Sequence, residues 1–286
     1  MRSGFVALAG RPNVGKSMLV NRLCGGKVAI VTDKPQTTRH RVQGVLTGPG
    51  YQLVLVDLPG FQRPRDPLTE RMQRRVDHAL DDVDAILFVL AAGEAVGAGD
   101  RFVASRVFGG RVPVVVALNK VDRVDPPRIA SDIAKAAALG DFTALHPVSA
   151  LTGDGVDSLR DELVALLHEG PLYFPPDELT DLPLEVRVAE LVREKALELT
   201  REELPHAITV DVEELDQRRV EAIVYVETES QKQIVIGKGG QMIKSIGTRA
   251  RPEIELLLER PVFLHLRVKV RARWRQDEAL LERLGL

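Results

Sequence analysis

Four short, nearly continuous apolar runs punctuate the first half of the chain: FVALA (5–9), LVLVD (53–57), AILFVL (85–90) and VPVVVALN (112–119). Apolar runs of this length without alternation are read as strands covered on both faces, as in parallel sheets flanked by helices. Between and after them lie amphipathic stretches that read as helices: KSMLVNRLC (16–24), TERMQRRVDHALDD (69–82), DRFVASRVF (100–108) and DSLRDELVALLHEG (157–170). This alternation predicts an α/β domain, a mostly parallel sheet with helices on both faces. VQGVLT (42–47) and YQLVLVD (51–57) are joined by GPG, so one edge pair is expected to be an antiparallel hairpin.

The texture changes at GPLYFPPDELTD (170–181), where prolines and acids concentrate and the helical pattern stops. The expected organisation is a first domain over 1–170, a linker over 171–181 and a second domain over 182–286. In the second domain a helix over 184–200 precedes two alternating strands, 206–215 and 218–228. A glycine-interrupted stretch over 233–259, a strand over 263–270 and a short final helix follow, an α+β arrangement with a βααβ core. There is no internal repeat.

Composition narrows the class. The 286 residues are 44% hydrophobic and 28% charged, which suits a soluble globular chain and excludes disorder, collagen and coiled coil as whole-chain descriptions. AILFVLAA (85–92) is far shorter than the roughly 18 residues of a membrane span. The apolar part of the N-terminus is too short for a signal peptide. The single cysteine, Cys24, cannot form an internal disulfide, so the expectation is a reducing, cytoplasmic setting. Net charge is −2, but residues 231–275 hold eleven Lys and Arg against three Asp and Glu. A local positive excess of that size favours a polyanion.

The chemistry-bearing signal begins at Gly10, where GRPNVGKS (10–17) follows an apolar strand and opens a helix. Gly10, Arg11, Pro12, Asn13, Val14 and Gly15 would wrap backbone N–H groups around phosphate oxygens, helped by the helix dipole. Lys16 would reach the β- and γ-phosphates, and the Ser17 hydroxyl would bind Mg²⁺. In DLPG (57–60), Asp57 ends a strand where its carboxylate can hold the metal through water, followed by Leu58, Pro59 and Gly60. Gly60 offers an unobstructed N–H to the γ-phosphate. NKVD supplies Asn119, Lys120 and Asp122; a carboxylate there accepts from N1–H and N2–H of guanine, and a buried one facing adenine would be left unpaired. Ser149, Ala150 and Leu151 would bring backbone N–H groups to guanine O6. Each motif is weak alone, but their order along the strand ends points to a guanine nucleotide.

TDKPQTTRHR (32–41) is a polar segment in which Thr38 is the favoured second hydroxyl ligand of Mg²⁺, a contact that lasts only while the γ-phosphate is present. A capping or turn threonine is the plainer reading of the same residue. The second switch segment is DLPGFQRPRDPLTE (57–70). Phe61 stands where a water-orienting glutamine would be useful, and it cannot bond to the attacking water. Intrinsic hydrolysis is therefore expected to be slow. Asn13, with backbone carbonyls of the first switch, is a candidate ligand for K⁺ near the β/γ bridging oxygen. Equally, it is a turn residue that tolerates awkward dihedrals. Catalysis is thus assigned to Asn13, Lys16, Thr38 and Gly60, and the metal to Ser17, Thr38 and Asp57.

In the second domain, Gly237, Lys238, Gly239 and Gly240 form a G-x-x-G loop after Ile236, with Lys244 one turn into the next helix. Such a loop lets a nucleic-acid backbone approach closely, and its basic, βααβ context favours a KH module over a simple turn. Ile234, Val235, Ile236, Met242 and Ile243 would line a groove for bases or, equally well, form core.

Together, GRPNVGKS, KPQTTRHR, DLPG followed by Phe61, NKVD, SAL (149–151), REK…EELPHA (193–207) and VIGKGG make the chain resemble the Era family of bacterial GTPases over nearly all its length. That resemblance implies a P-loop GTPase domain followed by a type II KH domain. It also implies GTP hydrolysis to GDP, recognition of the 3′ end of small-subunit ribosomal RNA, and assistance in maturation of the 30S particle. Peripheral association with the inner face of the cell membrane, a K⁺ response and nucleotide control of RNA access to the KH domain belong to the same expectation. The rivals are an RNA chaperone that binds nucleotide with negligible turnover, and a regulatory GTPase with protein partners whose G-x-x-G segment is structural.

Overall fold

The computed structural model describes residues 1–34, 37–61 and 66–286, with the backbone alone at Asp77 and Asp81. Two positions of KPQTTRHR (35–36) and four of the second switch segment (62–65) thus lie outside the described residues. Two compact units emerge. One takes most of the chain to Asp181, and the other gathers residues 30–34, 37 and 66–68 with Leu182–Leu286.

The first unit is built from β1 (Arg2–Ala9), α1 (Lys16–Cys24), β2 (Val42–Gly48), β3 (Tyr51–Asp57), α2 (Pro67–Asp81), β4 (Ala85–Ala91), α3 (Ala98–Val107), β5 (Val114–Asn119), α4 (Pro126–Ala137), β6 (Ala144–Pro147) and α5 (Val156–Leu166). Its sheet runs β2-β3-β1-β4-β5-β6, and only the β2–β3 pair is antiparallel. The hairpin expected at GPG is present, with Gly50 at φ 81° supplying the left-handed turn residue. All seven residues of β4 and all six of β5 are buried, so their unbroken apolar character follows from helices on both faces.

Register aligns the strand ends. Leu8 lies opposite Asp57, Ala9 opposite Phe88 and Ala91 opposite Asn119. The segments leaving β1, β3, β4 and β5 therefore emerge along one edge. The chain changes direction across the sheet between β1 and β4, and that is where ligands sit in open α/β sheets. Helix α4 was not foreseen, although Asp125 caps it by accepting from Arg128 N–H at 3.1 Å and Pro126 opens it.

The second unit continues with α6 (Leu184–Leu199), α7 (Leu204–Ala207), β7 (Thr209–Leu215), β8 (Arg219–Val226), α8 (Glu229–Ile236), α9 (Gln241–Leu258), β9 (Phe263–Val270) and α10 (Glu278–Arg283). Central β8 pairs antiparallel with β7 and parallel with β9, and the two parallel strands are connected through α8 and α9. Val188, Val192 and Ala196 of α6 share one core with Ile246, Ala250 and Ile254 of α9. Trp274 is fully buried and donates its indole N–H to Ala207 O at 2.7 Å, satisfying the one polar atom it brings inside. Among the described residues, no helix is long and apolar enough to cross a membrane.

Candidate functional site

The turn between β1 and α1 is shaped by three left-handed or glycine-only positions. Gly15 (φ 99°) and Asn13 (φ 66°) are left-handed. A Cβ at Gly10 would lie 2.7 Å from Val89 O, and one at Gly15 would lie 2.3 Å from Asn119 Nδ2. No side chain fits at either place, so the loop is drawn tightly onto β4 and the end of β5. Lys16 is buried inside it and donates from Nζ to Gly10 O at 2.9 Å and Arg11 O at 3.1 Å. Burial lowers its pKa to about 8, against a smaller opposing pull from Asp57.

Beside Lys16, three oxygens converge from three segments. Ser17 Oγ donates to Asp57 Oδ2 at 2.6 Å and lies 2.9 Å from Thr38 Oγ1, which is itself 3.3 Å from Asp57 Oδ2. Asp57 is fully buried, and its Oδ1 has no hydrogen-bond partner among the described residues. Burial raises its pKa, partly offset by Lys16, Ser17 and Thr38. A buried carboxylate oxygen left unpaired beside two hydroxyls suits a hard divalent cation that keeps several non-protein ligands, as Mg²⁺ does. Among the described residues, no cluster of three or more His, Cys, Asp or Glu offers a closed protein cage.

Asn119 joins the other motifs. It donates from Nδ2 to Val14 O at 2.9 Å and accepts at Oδ1 from Ala150 N–H at 3.0 Å. Lys120, itself left-handed at φ 68°, donates from Nζ to Asn13 O at 2.6 Å. Asp122 accepts from Ser149 Oγ at 2.6 Å, and Leu151 is exposed. Two expectations change here. Asp122 is exposed rather than buried, so only a bound base could desolvate it. Ala150 N–H is already engaged by Asn119. The left-handed backbone of Asn13 also gives that residue a conformational role of its own.

Phe61 is turned into the apolar core with Leu58 and Val103, its ring edge-on to Phe102 at 6.3 Å. Gly60 lies against the phosphate loop: a Cβ there would stand 3.0 Å from Pro12 Cγ. Pro59 is buried. Sequence reasoning missed Glu94 and Asp100, which hold Arg11, and Asp132, which accepts from Gly93 N–H at 2.8 Å. Their only sequence signal is acidic character in and after the β4 loop.

In the second unit the G-x-x-G loop links α8 to α9. A Cβ at Gly237 (φ 74°) would lie 2.7 Å from Met242 Cβ, so packing demands that glycine. Gly239 (φ 59°) and Gly240 (φ 78°) face open space: none of the described residues would come within 4 Å of a Cβ there. Lys238 and Lys244 are exposed beside them, and the first turn of α9 carries no acid. The five candidate groove residues divide: Val235 is core, Met242 and Ile243 pack against it half-buried, Ile236 is also half-buried, and Ile234 is exposed.

A family model described as a 50S ribosome-binding GTPase matches residues 5–120, and a KH domain model matches 203–275. A solved structure of a single-residue variant of Aquifex aeolicus Era, bound to GDP·AlF4⁻, is 40% identical over 100% of this chain and 99% of its own, with TM-score 0.93. The chain belongs to the Era family. A second Era structure, in complex with MgGDPNP and nucleotides 1506–1542 of 16S ribosomal RNA, matches with the same identity, coverage and TM-score. The P-loop GTPase fold followed by a KH domain is thus the family's own arrangement.

Burial of Lys16 has a measurable consequence. Because its folded pKa of about 8 lies below the ordinary 10.5, the unfolded chain binds more protons between those values, and stability rises with pH across that window. In urea titrations without nucleotide or Mg²⁺, the wild type should gain on the order of 3 kcal/mol over Lys16→Met from pH 8 to 10.5. Lys16→Met should lack this gain, and parallel pH profiles for the two proteins would contradict it.

Proposed function

We propose that this Era-family GTPase is a Mg²⁺-dependent enzyme that hydrolyses GTP to GDP and phosphate, binds the 3′ end of small-subunit ribosomal RNA and assists 30S maturation. The observation that carries the reading is the convergence of Ser17, Thr38 and Asp57 beside buried Lys16. The RNA target follows the full-length relative rather than the large-subunit description attached to the shorter GTPase match.

In this reading Lys16 moves from the Gly10 and Arg11 carbonyls to the β- and γ-phosphates, whose charge compensates its buried ammonium. Ser17 and Thr38 hold Mg²⁺ directly, and Asp57 holds it through water. The ion would neutralise charge on the β- and γ-oxygens. Glycine at 60 leaves the N–H beside the phosphate loop open to the γ-phosphate. Asp122 accepts from guanine N1–H and N2–H, and the bound base supplies the desolvation that an exposed carboxylate otherwise lacks. Phe61, buried in the core, takes no part in orienting water. K⁺ held by Asn13 would supply part of the missing stabilisation. Cytoplasmic location and peripheral contact with the inner face of the membrane complete the reading and draw on the family resemblance and the absence of a spanning helix among the described residues.

The direct test is multiple-turnover phosphate release from GTP with Mg²⁺, with and without 16S 3′-end RNA. Turnover under either condition supports the enzyme; none under both favours the chaperone reading. Asp122→Asn should weaken GTP use at least tenfold and move preference to XTP, whose base offers a carbonyl where guanine has its amino group. Replacing K⁺ with Na⁺ should slow wild-type turnover, and Asn13→Ala should remove that difference. An ion-insensitive wild type would exclude K⁺.

RNA binding has its own test. Gly239 faces open space and Asp tolerates a left-handed backbone, so Lys238→Asp/Gly239→Asp should fold normally. Affinity for a 16S 3′-end oligonucleotide should fall at least tenfold in a filter or anisotropy assay. Unchanged affinity would make the G-x-x-G loop structural only.

A further inference from the structure

Between the phosphate loop and NKVD stands an acid that no motif contains. Glu94 follows the left-handed Gly93 (φ 80°) in the turn that leaves β4. That turn is fixed from two sides. Ala92 N–H donates to Asn119 O at 2.7 Å, while α4 holds Gly93 through Asp132 on its N–H (2.8 Å) and Arg128 on its carbonyl (3.1 Å). With its backbone anchored, Glu94 divides its two carboxylate oxygens between two motifs. Oε2 accepts from the Arg11 guanidinium, and Oε1 accepts from Lys120 Nζ at 3.2 Å.

Both partners are bound a second time. Arg11 Nε donates to Asp100 Oδ1 at 3.0 Å, and Lys120 Nζ donates to Asn13 O at 2.6 Å. Asp100 is nearly fully buried and also accepts from Gly97 N–H at 2.9 Å, so its end of the network is rigid. Two acids and two bases make a neutral quartet that ties positions 11 and 13 of the phosphate loop to position 120. Burial pushes the Glu94 carboxyl up, but its bonds to Arg11 and Lys120, with their charges, outweigh this and hold it below the usual carboxylate range.

We propose that Glu94 is a positioning residue for the guanine-nucleotide site, a latch between the phosphate loop and the base-recognition loop that lengthens nucleotide residence. It touches neither phosphate nor base in this scheme; it acts through Arg11 and Lys120. Nucleotide leaves when the loop around its phosphates and the segment around its base separate. That separation must break the Lys120–Asn13 bond and one of the Glu94 pairs. Neutralising Glu94 leaves Asp100 as the sole carboxylate among these groups and leaves the Lys120 ammonium with the Asn13 carbonyl. Glutamine keeps the shape but offers one acceptor oxygen, so it cannot serve both cations. The Glu94 side chain is 42% exposed, so each pair is modest and screened by salt.

The inference rests on the nucleotide reading above, and the test separates the two. Dissociation of mant-GDP from the full chain is followed by stopped flow with Mg²⁺ at low and high salt, for wild type, Glu94→Gln and Glu94→Ala. Glu94→Gln should release the probe about three- to tenfold faster at low salt, with a smaller difference at high salt. KM for GTP should rise with it, while kcat and the apo thermal midpoint move little. A role confined to fold stability would instead lower the apo midpoint without this split. Glu94→Gln and Glu94→Ala rates within twofold of wild type at low salt would overturn the latch. A wild type that holds no mant-GDP at all would overturn the nucleotide reading, and the latch with it.

Discussion

Burial of Lys16, where the loop after β1 enters α1, and of Asp57, at the end of the adjoining β3, is the constraint around which the first unit is organised. Two ionisable groups inside a packed protein are tolerable only when each finds compensation. Lys16 finds it in two loop carbonyls and in the charge of Asp57; Asp57 finds it in Lys16 and the hydroxyls of Ser17 and Thr38. The compensation is incomplete: Lys16 is held near pKa 8 and one oxygen of Asp57 has no hydrogen-bond partner among the described residues. A polyphosphate with a divalent cation brings charge of both signs to these two places. The site is thus built so that binding completes an electrostatic arrangement the protein leaves partial.

Glycine serves opposite ends in the two units. In the phosphate loop, Gly10 and Gly15 are required because protein atoms crowd the space a side chain would take, down to 2.3 Å from Asn119. That crowding presses the loop onto the neighbouring strand ends and fixes its N–H groups. In the G-x-x-G loop, Gly239 and Gly240 have empty space around them, which leaves backbone open to a ligand. Both loops open a helix, so both present its positive end to an anion. One loop is closely fitted, and the other is open.

The loop after β4 adds a third layer to the nucleotide site. Asn119, Glu94 and Asp132 are far apart in sequence, yet each bonds to a segment that another also holds: Asn119 to Val14, Glu94 to Arg11, and Asp132 to Gly93 beside Glu94. Phosphate loop, base loop and β4 turn therefore form one connected frame. Rigidity of this kind favours a site that must hold its geometry while charge on the ligand changes.

Much of this was legible in the residues alone. The apolar runs gave the parallel strands because burial on both faces leaves no room for alternation, and GPG gave the edge hairpin because it supplies a left-handed glycine. The phosphate loop, Asp57, NKVD and the G-x-x-G loop stood out because each is a short fixed order of residue types. Helix α4 carried its cap, its proline and the helical spacing of Ile129, Ile133 and Ala136 in plain view, but its two isoleucines are its only large aliphatic residues. What sequence could not supply was any relation that forms only when distant strand ends are brought side by side. The exposure of Asp122, the inward turn of Phe61, the capture of Ala150 N–H by Asn119 and the bridge made by Glu94 are all of that kind. Local residue order fixes which groups are available, while their partners and their burial depend on register across the sheet, which brings Asn119 opposite Ala91 and so within reach of the loop that holds Glu94.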